Sequence, residues 1–154
     1  MPRGRRCSGP PTDWPDRFVT SYASSHPWED FAETWAHFFH MVDTLETAAA
    51  FGMSVRPNLL RGSSKLSAKI DFDPHLASME RLVDAWLPLT YAMNSINRSM
   101  GQPDLYPFVL SPTVIGKISF VHARINAQVG PRYVRTGALQ AIVAGLRRGR
   151  QAPR

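Results

Sequence analysis

The chain has 154 residues, of which 44% are hydrophobic, and it carries 18 basic and 12 acidic residues. That length and composition favour one globular domain and exclude a chain that is disordered throughout. The formal charge of +6 would suit a nucleic-acid-binding protein if the basic residues lay on the folded part of the chain.

The positive charge instead lies at the two ends. Residues 1–6 hold three arginines and residues 132–154 hold six, with no acid in either segment, whereas residues 7–131 hold nine bases and twelve acids. The body therefore has a net charge of −3. Because the ends show no aromatic interleaving and no base-reading motif, we expect no specific nucleic-acid partner.

The sequence also limits the cellular setting. One cysteine, Cys7, excludes a disulfide or a multi-cysteine zinc site within the chain. No apolar run approaches the roughly 20 residues that span a bilayer, and no apolar signal core follows the first arginines. We therefore expect a cytoplasmic protein without a membrane partner. Residues 1–11 are predicted to be a disordered basic leader, and residues 128–154 a basic tail with some helical character.

Residues 12–127 are predicted to form a mainly α domain of about four helices. A short helix is expected near residues 15–24. A long one is expected over residues 27–51, because Pro27 suits a first helical position and Gly52 suits the position just past the end.

The later elements follow the same signals. Residues 56–69 contain proline, glycine and three serines, which is typical of a loop. A third helix is predicted from the Asp73–Pro74 pair to Gly101, kinked or divided at Pro88. Ser111–Pro112 predicts a fourth helix that ends near Ala127. No segment shows sustained strand alternation.

Two stripes run along the long helix. Apolar side chains recur at alternating spacings of three and four, which predicts the buried face. They are Trp28, Phe31, Trp35, Phe38, Val42, Leu45 and Ala49. On this pattern Trp28 and Trp35 are expected in the core, as is Trp86 in the third helix. Nearly opposite lies a stripe of Glu29, Glu33, His37, His40 and Thr44.

The second stripe allows two interpretations. Charged faces opposite apolar stripes are usually only solvated. However, no lysine or arginine occurs from Phe18 to Val55, while five acids do. An acidic surface without interspersed bases favours a missing cationic partner, either a metal ion or a protein segment.

The histidines of this stripe add a rival metal site. Glu33, His37 and His40 share one helical face and could together bind an ion. Three ligands from one straight helix reach a single tetrahedral ion poorly, so packing or ligand-supporting histidines are favoured.

Three long segments resemble the C-terminal part of a bacterial family described as putative zinc-binding metallopeptidases. They are HPWEDFAETWAHFFHMVDTLETAA, DAWLPLTYAMNSINRSMGQPDLYPFVLSP and VIGKISFVH, and the likeness extends from about Gly9 to His122. In that family a cysteine zinc ribbon and an HExxH-type helix precede this part. This sequence contains no His-Glu dipeptide.

The resemblance implies a zincin-like helical region, zinc as cofactor and specific roles for two glutamates. In glutamate-type zincins, a ligand glutamate from a downstream helix is followed four residues later by an acid that orients a zinc-bound histidine. EDFAE at residues 29–33 is similar to that segment. Glu29 is then the candidate third zinc ligand and Glu33 the candidate orienting acid, although the register also allows Glu33 as the ligand.

A further polar group lies at the end of the third helix. Asn94, Asn97, Arg98 and Tyr106 could line a substrate cleft, with arginine binding a carboxylate and tyrosine supporting an oxyanion. The same residue types could instead cap helix carbonyls and hold the following loop. The structural interpretation is the favoured one.

The resemblance implies peptide hydrolysis by zinc-activated water in a full-length parent acting on a peptide or protein substrate. For this chain we expect weak zinc binding at most and no hydrolysis, because the HExxH helix is missing. Residues 1–8 and the residues after about 123 do not resemble the family, which a truncated gene, a late start assignment or a frameshifted copy would explain. Apolar surface left uncovered by the missing helix would favour self-association. The alternative is a non-catalytic helical interaction module that uses the acidic helix face or the basic ends.

Overall fold

A computed structural model describes residues 9–58 and 66–128 of the chain. In that part the fold is mainly helical, with helices α1 (Trp14–Arg17), α2 (Pro27–Ala50), α3 (Met79–Ser99) and α4 (Pro112–Gln128). A short 3₁₀ turn, Ala23–Ser25, precedes α2. The prediction of a mainly α fold with about four helices is confirmed. The predicted leader and tail fall almost entirely outside the described residues.

Helix α2 has the ends that its sequence predicts. Its first turn contains Pro27, and the Nδ1 atom of His26 accepts a hydrogen bond from the Trp28 backbone N–H at 3.2 Å. At the other end Gly52 has a φ of +64°, the left-handed conformation that glycine adopts most readily. The N–H groups of Gly52 and Met53 donate back to the carbonyls of Ala49 and Ala48, which is a Schellman ending.

Helix α3 begins later than predicted. Asp73 does not cap it: its Oδ1 accepts the His75 N–H at 2.9 Å in a local turn, and Pro74 is fully buried. Ser78 is the cap, since its Oγ accepts the Arg81 N–H at 3.3 Å. The helix then continues past Pro88 without division, because buried side chains on both sides of the proline hold it in place.

A small antiparallel strand pair is the feature that the sequence did not predict. Strands β1 (Ser54–Val55) and β2 (Ala68–Lys69) pair with Ser54 opposite Lys69. The second strand lies at the end of the predicted 56–69 loop, whose residues 59–65 are outside the described part. With two residues per strand, no alternation could have been visible.

The backbone forms two compact units, and the division falls within α2 after His40. The first unit contains residues 9–40 and 93–123, and the second contains residues 41–58, 66–92 and 124–128. Buried side chains of the first unit are Val19, Ala23, Thr34, His37, Phe38, Asn94, Val114, Ile118 and Val121. Those of the second are mainly apolar: Met41, Val42, Leu45, Ala48, Ile70, Pro74, Leu82, Ala85, Trp86, Pro88, Leu89 and Thr90. The predicted boundaries near residues 12 and 127 stay a prediction.

In the first unit, the buried face of α2 differs from the predicted apolar stripe. In the first unit Trp28 is 72% exposed and Phe31 is 54% exposed, whereas Thr34 and His37 are buried. At 100° per residue the buried face is rotated by roughly 60° toward the Glu/His stripe. The prediction that Trp28 lies in the core is therefore wrong, Trp35 is only half-buried, and Trp86 is buried as predicted.

Candidate metal-facing site on helix α2

The site is built on the first half of α2 and on the turn before it, all within the first unit. Glu29 and Glu33 are both half-buried on the side of α2 that carries His37. One turn of helix separates the two carboxylates, so they lie on one face. The chain that precedes α2 brings two hydroxyl groups to this face, from Thr20 and Tyr22.

Thr20 contacts Glu33 directly. Its Oγ1 donates a hydrogen bond to Glu33 Oε2 at 3.2 Å and accepts one from the Ala23 backbone N–H at 3.0 Å. The hydroxyl is therefore held by the 3₁₀ turn that includes Ala23. This fixes the direction from which Glu33 receives its donor.

Tyr22 is paired with the other glutamate. A hydrogen bond to the Glu29 carboxylate raises the pKa of Tyr22, and the negative charges of Glu29 and Glu33 add to the shift. The tyrosine side chain is exposed. The phenol therefore stays protonated near neutral pH and can act as a donor to a carboxylate.

His37 is the buried residue of the site, with only 5% of its surface exposed. Its Nδ1 atom lies 2.9 Å from the Tyr106 hydroxyl, and its Nε2 atom lies 3.8 Å from Glu33 Oε2. Phe108 packs edge-on against the imidazole, with ring centroids 4.7 Å apart. Burial lowers the pKa of His37 to about 4, and the nearby His40 contributes to the shift. Desolvation of the charged imidazole thus outweighs its stabilisation by the nearby Glu33 carboxylate, and His37 is neutral near pH 7.

The rival site of Glu33, His37 and His40 gains no support from this arrangement. His40 is exposed, and its ring centroid lies 5.9 Å from that of His37. Both nitrogens of His37 already face groups of the protein. Within residues 9–58 and 66–128, no group of three or more His, Cys, Asp or Glu side chains is arranged to hold a metal ion.

The residues predicted to line a substrate cleft are engaged with the loop that follows α3. Asn94 Nδ2 donates to the Tyr106 carbonyl at 2.7 Å, and its Oδ1 accepts the Tyr106 N–H at 2.9 Å. Asn97 Nδ2 donates to the Pro103 carbonyl at 3.2 Å. Arg98 forms a bidentate pair with Asp104. The hydrogen bonds from Arg98 lower the pKa of the Asp104 carboxyl group. These contacts agree with the structural interpretation, and the cleft interpretation stays a prediction.

A row of aromatic side chains lies on another side of α2, and we call it the aromatic ridge. It consists of Trp28, Phe31, Trp35 and Phe39. Neighbouring rings contact one another, with centroids between 5.8 and 6.3 Å apart. Trp28, Phe31 and Phe39 are exposed. The Trp35 indole N–H is buried, with no hydrogen-bond partner among the described residues.

Sequence reasoning missed the partners that surround the two glutamates. Thr20, Tyr22 and Phe108 belong to the site by geometry, but none has a periodic relation to α2. Thr20 is 13 residues from Glu33, and the Tyr106 hydroxyl reaches His37 from 69 residues away. A sequence pattern carries no signal for such pairs.

The donor chemistry fits part of a zinc site. Carboxylate oxygens are accepted zinc ligands, and a ligand is commonly oriented by a second hydrogen bond. Glu29 and Glu33 both have such partners. Two carboxylates are fewer than the three protein ligands of a catalytic zinc centre, and the sequence has no HExxH pair.

Comparison with known proteins gives the family. Residues 5–124 match a family described as "Putative zinc-binding metallo-peptidase", which agrees with the range of 9–122 inferred from the sequence. The chain belongs to this family. It is also 42% identical over 128 residues to uncharacterized proteins of Mycobacterium bovis and of two Mycobacterium tuberculosis strains. No solved structure matches the chain.

The relatives are longer than this chain. Each alignment covers 81% of the chain but only 34% of the relative, so the chain spans about a third of the length of those proteins. No helix of the described residues combines the length and apolar character needed to cross a membrane.

Proposed function

We propose that this chain is the helical region of a zinc-dependent peptidase and that Glu29 is its zinc ligand. Family membership supports peptide hydrolysis as the proposed reaction class. The observation that carries the assignment is the pair of half-buried carboxylates on one face of α2, with the Thr20 hydroxyl hydrogen-bonded to Glu33. The Glu29 carboxylate also raises the pKa of the neighbouring Tyr22. A solvated helix face would not require these partners.

The roles of the two glutamates differ in this proposal. One Glu29 oxygen would bind the metal while the other accepts the Tyr22 hydroxyl, an arrangement that orients a carboxylate ligand. Glu33 would accept an N–H from an imidazole on the metal and hold that ring in one orientation. When bound, zinc supplies a Lewis acid that makes water a nucleophile near neutral pH.

The chain on its own is proposed to bind zinc weakly and to hydrolyse no peptide. Its sequence lacks the two histidines and the general-base glutamate that an HExxH helix supplies. A peptide or protein substrate is therefore proposed only for the longer relatives. The part of such a centre that this chain is proposed to contribute is its pair of carboxylates, Glu29 and Glu33.

Zinc uptake by calorimetric titration tests the assignment. The wild-type chain is expected to take up one Zn²⁺ per molecule, and Glu29→Gln is expected to abolish uptake. Glu80→Gln is the matched control, because Glu80, like Glu29, is an acid in the first turn of a helix, but it is exposed whereas Glu29 is half-buried. If Glu33→Gln abolishes uptake and Glu29→Gln does not, the ligand is Glu33. Equal uptake by all variants contradicts a metal role for this face.

The exposed aromatic ridge favours a second candidate, an interaction module that associates with a second copy of the chain. The segment from Phe18 to Val55 is acidic, and the two ends of the sequence carry nine arginines without an acid. One copy could therefore supply positive charge to the acidic helix of another. Sedimentation should then show a dimer that dissociates at high salt and in Trp28→Ala. A monomer under all conditions contradicts this candidate.

A further inference from the structure

We infer that His37 is the positioning residue for Glu33: as the Nε2–H tautomer it accepts the Tyr106 hydroxyl at Nδ1 and directs its N–H at the Glu33 carboxylate. The functional half of this inference rests on the proposed metal role of α2. The structural half concerns only the orientation of side chains in the first unit. The two halves can therefore fail separately.

The imidazole has a fixed position. His37 is buried, and it lies between the Tyr106 hydroxyl at 2.9 Å and the edge-on ring of Phe108. Tyr106 is held in turn by Asn94, which bonds both its backbone N–H and its carbonyl. Two hydrogen bonds from one buried amide fix the loop backbone at this point. The ring of His37 therefore has little freedom to turn away from Glu33.

Chemistry selects the tautomer. A carboxylate accepts hydrogen bonds and does not donate them. The tautomer that carries the proton on Nε2, which faces Glu33 Oε2 at 3.8 Å, is therefore the more stable one. Nδ1 of a neutral imidazole is then an acceptor, and the Tyr106 hydroxyl, which can rotate, donates to it. The opposite tautomer would point a lone pair at the carboxylate.

The Thr20 hydroxyl and the His37 imidazole face the same oxygen of Glu33, the first within hydrogen-bond distance and the second at 3.8 Å, beyond that distance. Thr20 Oγ1 donates to Oε2, and His37 Nε2 faces Oε2. Among the residues that the structure describes, none donates a hydrogen bond to Oε1. The protein thus occupies one oxygen with its own groups and keeps the other for a donor from outside. That is the orientation an acid needs if it is to hold a metal-bound imidazole.

Nitrogen NMR of the wild-type chain tests the structural half without any variant. Long-range ¹H–¹⁵N correlations should show the Nε2–H tautomer at His37, and Glu33→Gln should weaken that preference. The matched control is the pair of the exposed His75 and the half-buried Glu46, 3.7 Å apart in the second unit. Glu46→Gln should leave the His37 signals unchanged. An Nδ1–H tautomer at His37 in the wild type overturns the inference.

Two substitutions separate the functions of the ring nitrogens. The amide of His37→Gln can reach the Nε2 position and the amide of His37→Asn the Nδ1 position. Glu33 is proposed to hold a metal-bound imidazole, and the sequence has no HExxH histidine to supply one, so these Zn²⁺ titrations are run with free imidazole present. If His37 positions Glu33, Zn²⁺ affinity under these conditions should fall about tenfold or more in His37→Asn, the cost typical of losing a ligand-orienting group. Glutamine should restore most of it. Equal losses in the two variants overturn the positioning role.

The same titrations distinguish the two levels of the argument. If Glu29→Gln and Glu33→Gln leave Zn²⁺ uptake unchanged, the proposed function is wrong, and the tautomer measurement alone decides the inference on His37. If both substitutions reduce uptake but His37→Asn does not, the function stands and the positioning role is wrong.

Discussion

The two halves of α2 bury different chemistry although they form one continuous helix. Residues 41–50 bury Met41, Val42, Leu45 and Ala48, which is an ordinary apolar face. Residues 27–40 bury Thr34 and His37 beside Phe38 and leave two large aromatic side chains, Trp28 and Phe31, mostly exposed. Hydrophobicity therefore determines the buried face only in the second half.

Polar partners explain the difference. In the first unit Lys117 Nζ donates hydrogen bonds to both carboxylate oxygens of Asp30, at 2.7 and 2.8 Å. His37 Nδ1 is hydrogen-bonded to the Tyr106 hydroxyl. A buried polar group with a partner costs little, whereas the same group without one costs about 1–3 kcal/mol. The first half can therefore bury His37 of its Glu/His stripe and keep Glu29 and Glu33 half-buried. Because the buried face is shifted away from the aromatic ridge, most of the ridge is exposed to solvent.

The largest expected effect is in the apolar half. Leu45 is fully buried, and Leu45→Ala should lower the free energy of unfolding by about 2–5 kcal/mol through lost burial and a cavity. Urea denaturation measures this change. A cost below about 1 kcal/mol would mean that residues 41–50 are not packed as described.

The polar half should respond to pH instead. His37 has a pKa of about 4 when folded and an ordinary value of 6.5 when unfolded. The unfolded chain therefore binds more protons between these values, so stability rises with pH across that window and is lost as pH falls toward 4. The full difference is about 3 kcal/mol.

Urea denaturation across the acidic range measures this dependence. His37→Asn should flatten the curve between pH 4 and 6.5, whereas His40→Asn, a change at an exposed histidine, should leave most of it. An unchanged slope in His37→Asn would show that another group titrates.

Asn94 provides a smaller test of the polar half. Asn94→Ala removes both hydrogen bonds to the Tyr106 backbone and should cost about 1–3 kcal/mol. It should also broaden the NMR signals of the loop around Tyr106. Asn97→Ala, which removes an exposed bond to Pro103, is the matched control and should cost less.

The smallest effect is expected on the aromatic ridge. Because Trp28 is 72% exposed, Trp28→Ala should change the free energy of unfolding of the monomer by only about 0.5 kcal/mol. The sequence pattern alone would predict a cost similar to that of Leu45→Ala. A loss of several kcal/mol, measured by urea denaturation, would show that the ridge is covered.

The sequence predicted the helices where local chemistry decides them. Pro27, Gly52 and the Ser111–Pro112 pair marked helix ends correctly, because caps and left-handed glycines act within a few residues. The start of α3 was predicted wrongly, since Asp73–Pro74 and Ser78 both offer a start signal and only the burial of Pro74 separates them.

The candidate site was predicted only in part. The spacing of Glu29 and Glu33 placed two carboxylates on one face, and the family inferred from the quoted segments is confirmed. Thr20 and Tyr106 reach that face through the fold, and no spacing rule contains them. The burial of His37 was also beyond the pattern, because it depends on a partner 69 residues away.

Site-resolved metal titration tests the central claim most directly. Mn²⁺ broadens the NMR signals of nearby nuclei, and in the wild-type chain the broadened amides should be those of Glu29 to Glu33 and of Thr20 to Tyr22. Zn²⁺ should reverse the broadening by competition, and Glu29→Gln should remove it. Broadening spread evenly over the acidic residues of both units, or unaffected by Glu29→Gln, would contradict a metal-facing site on α2.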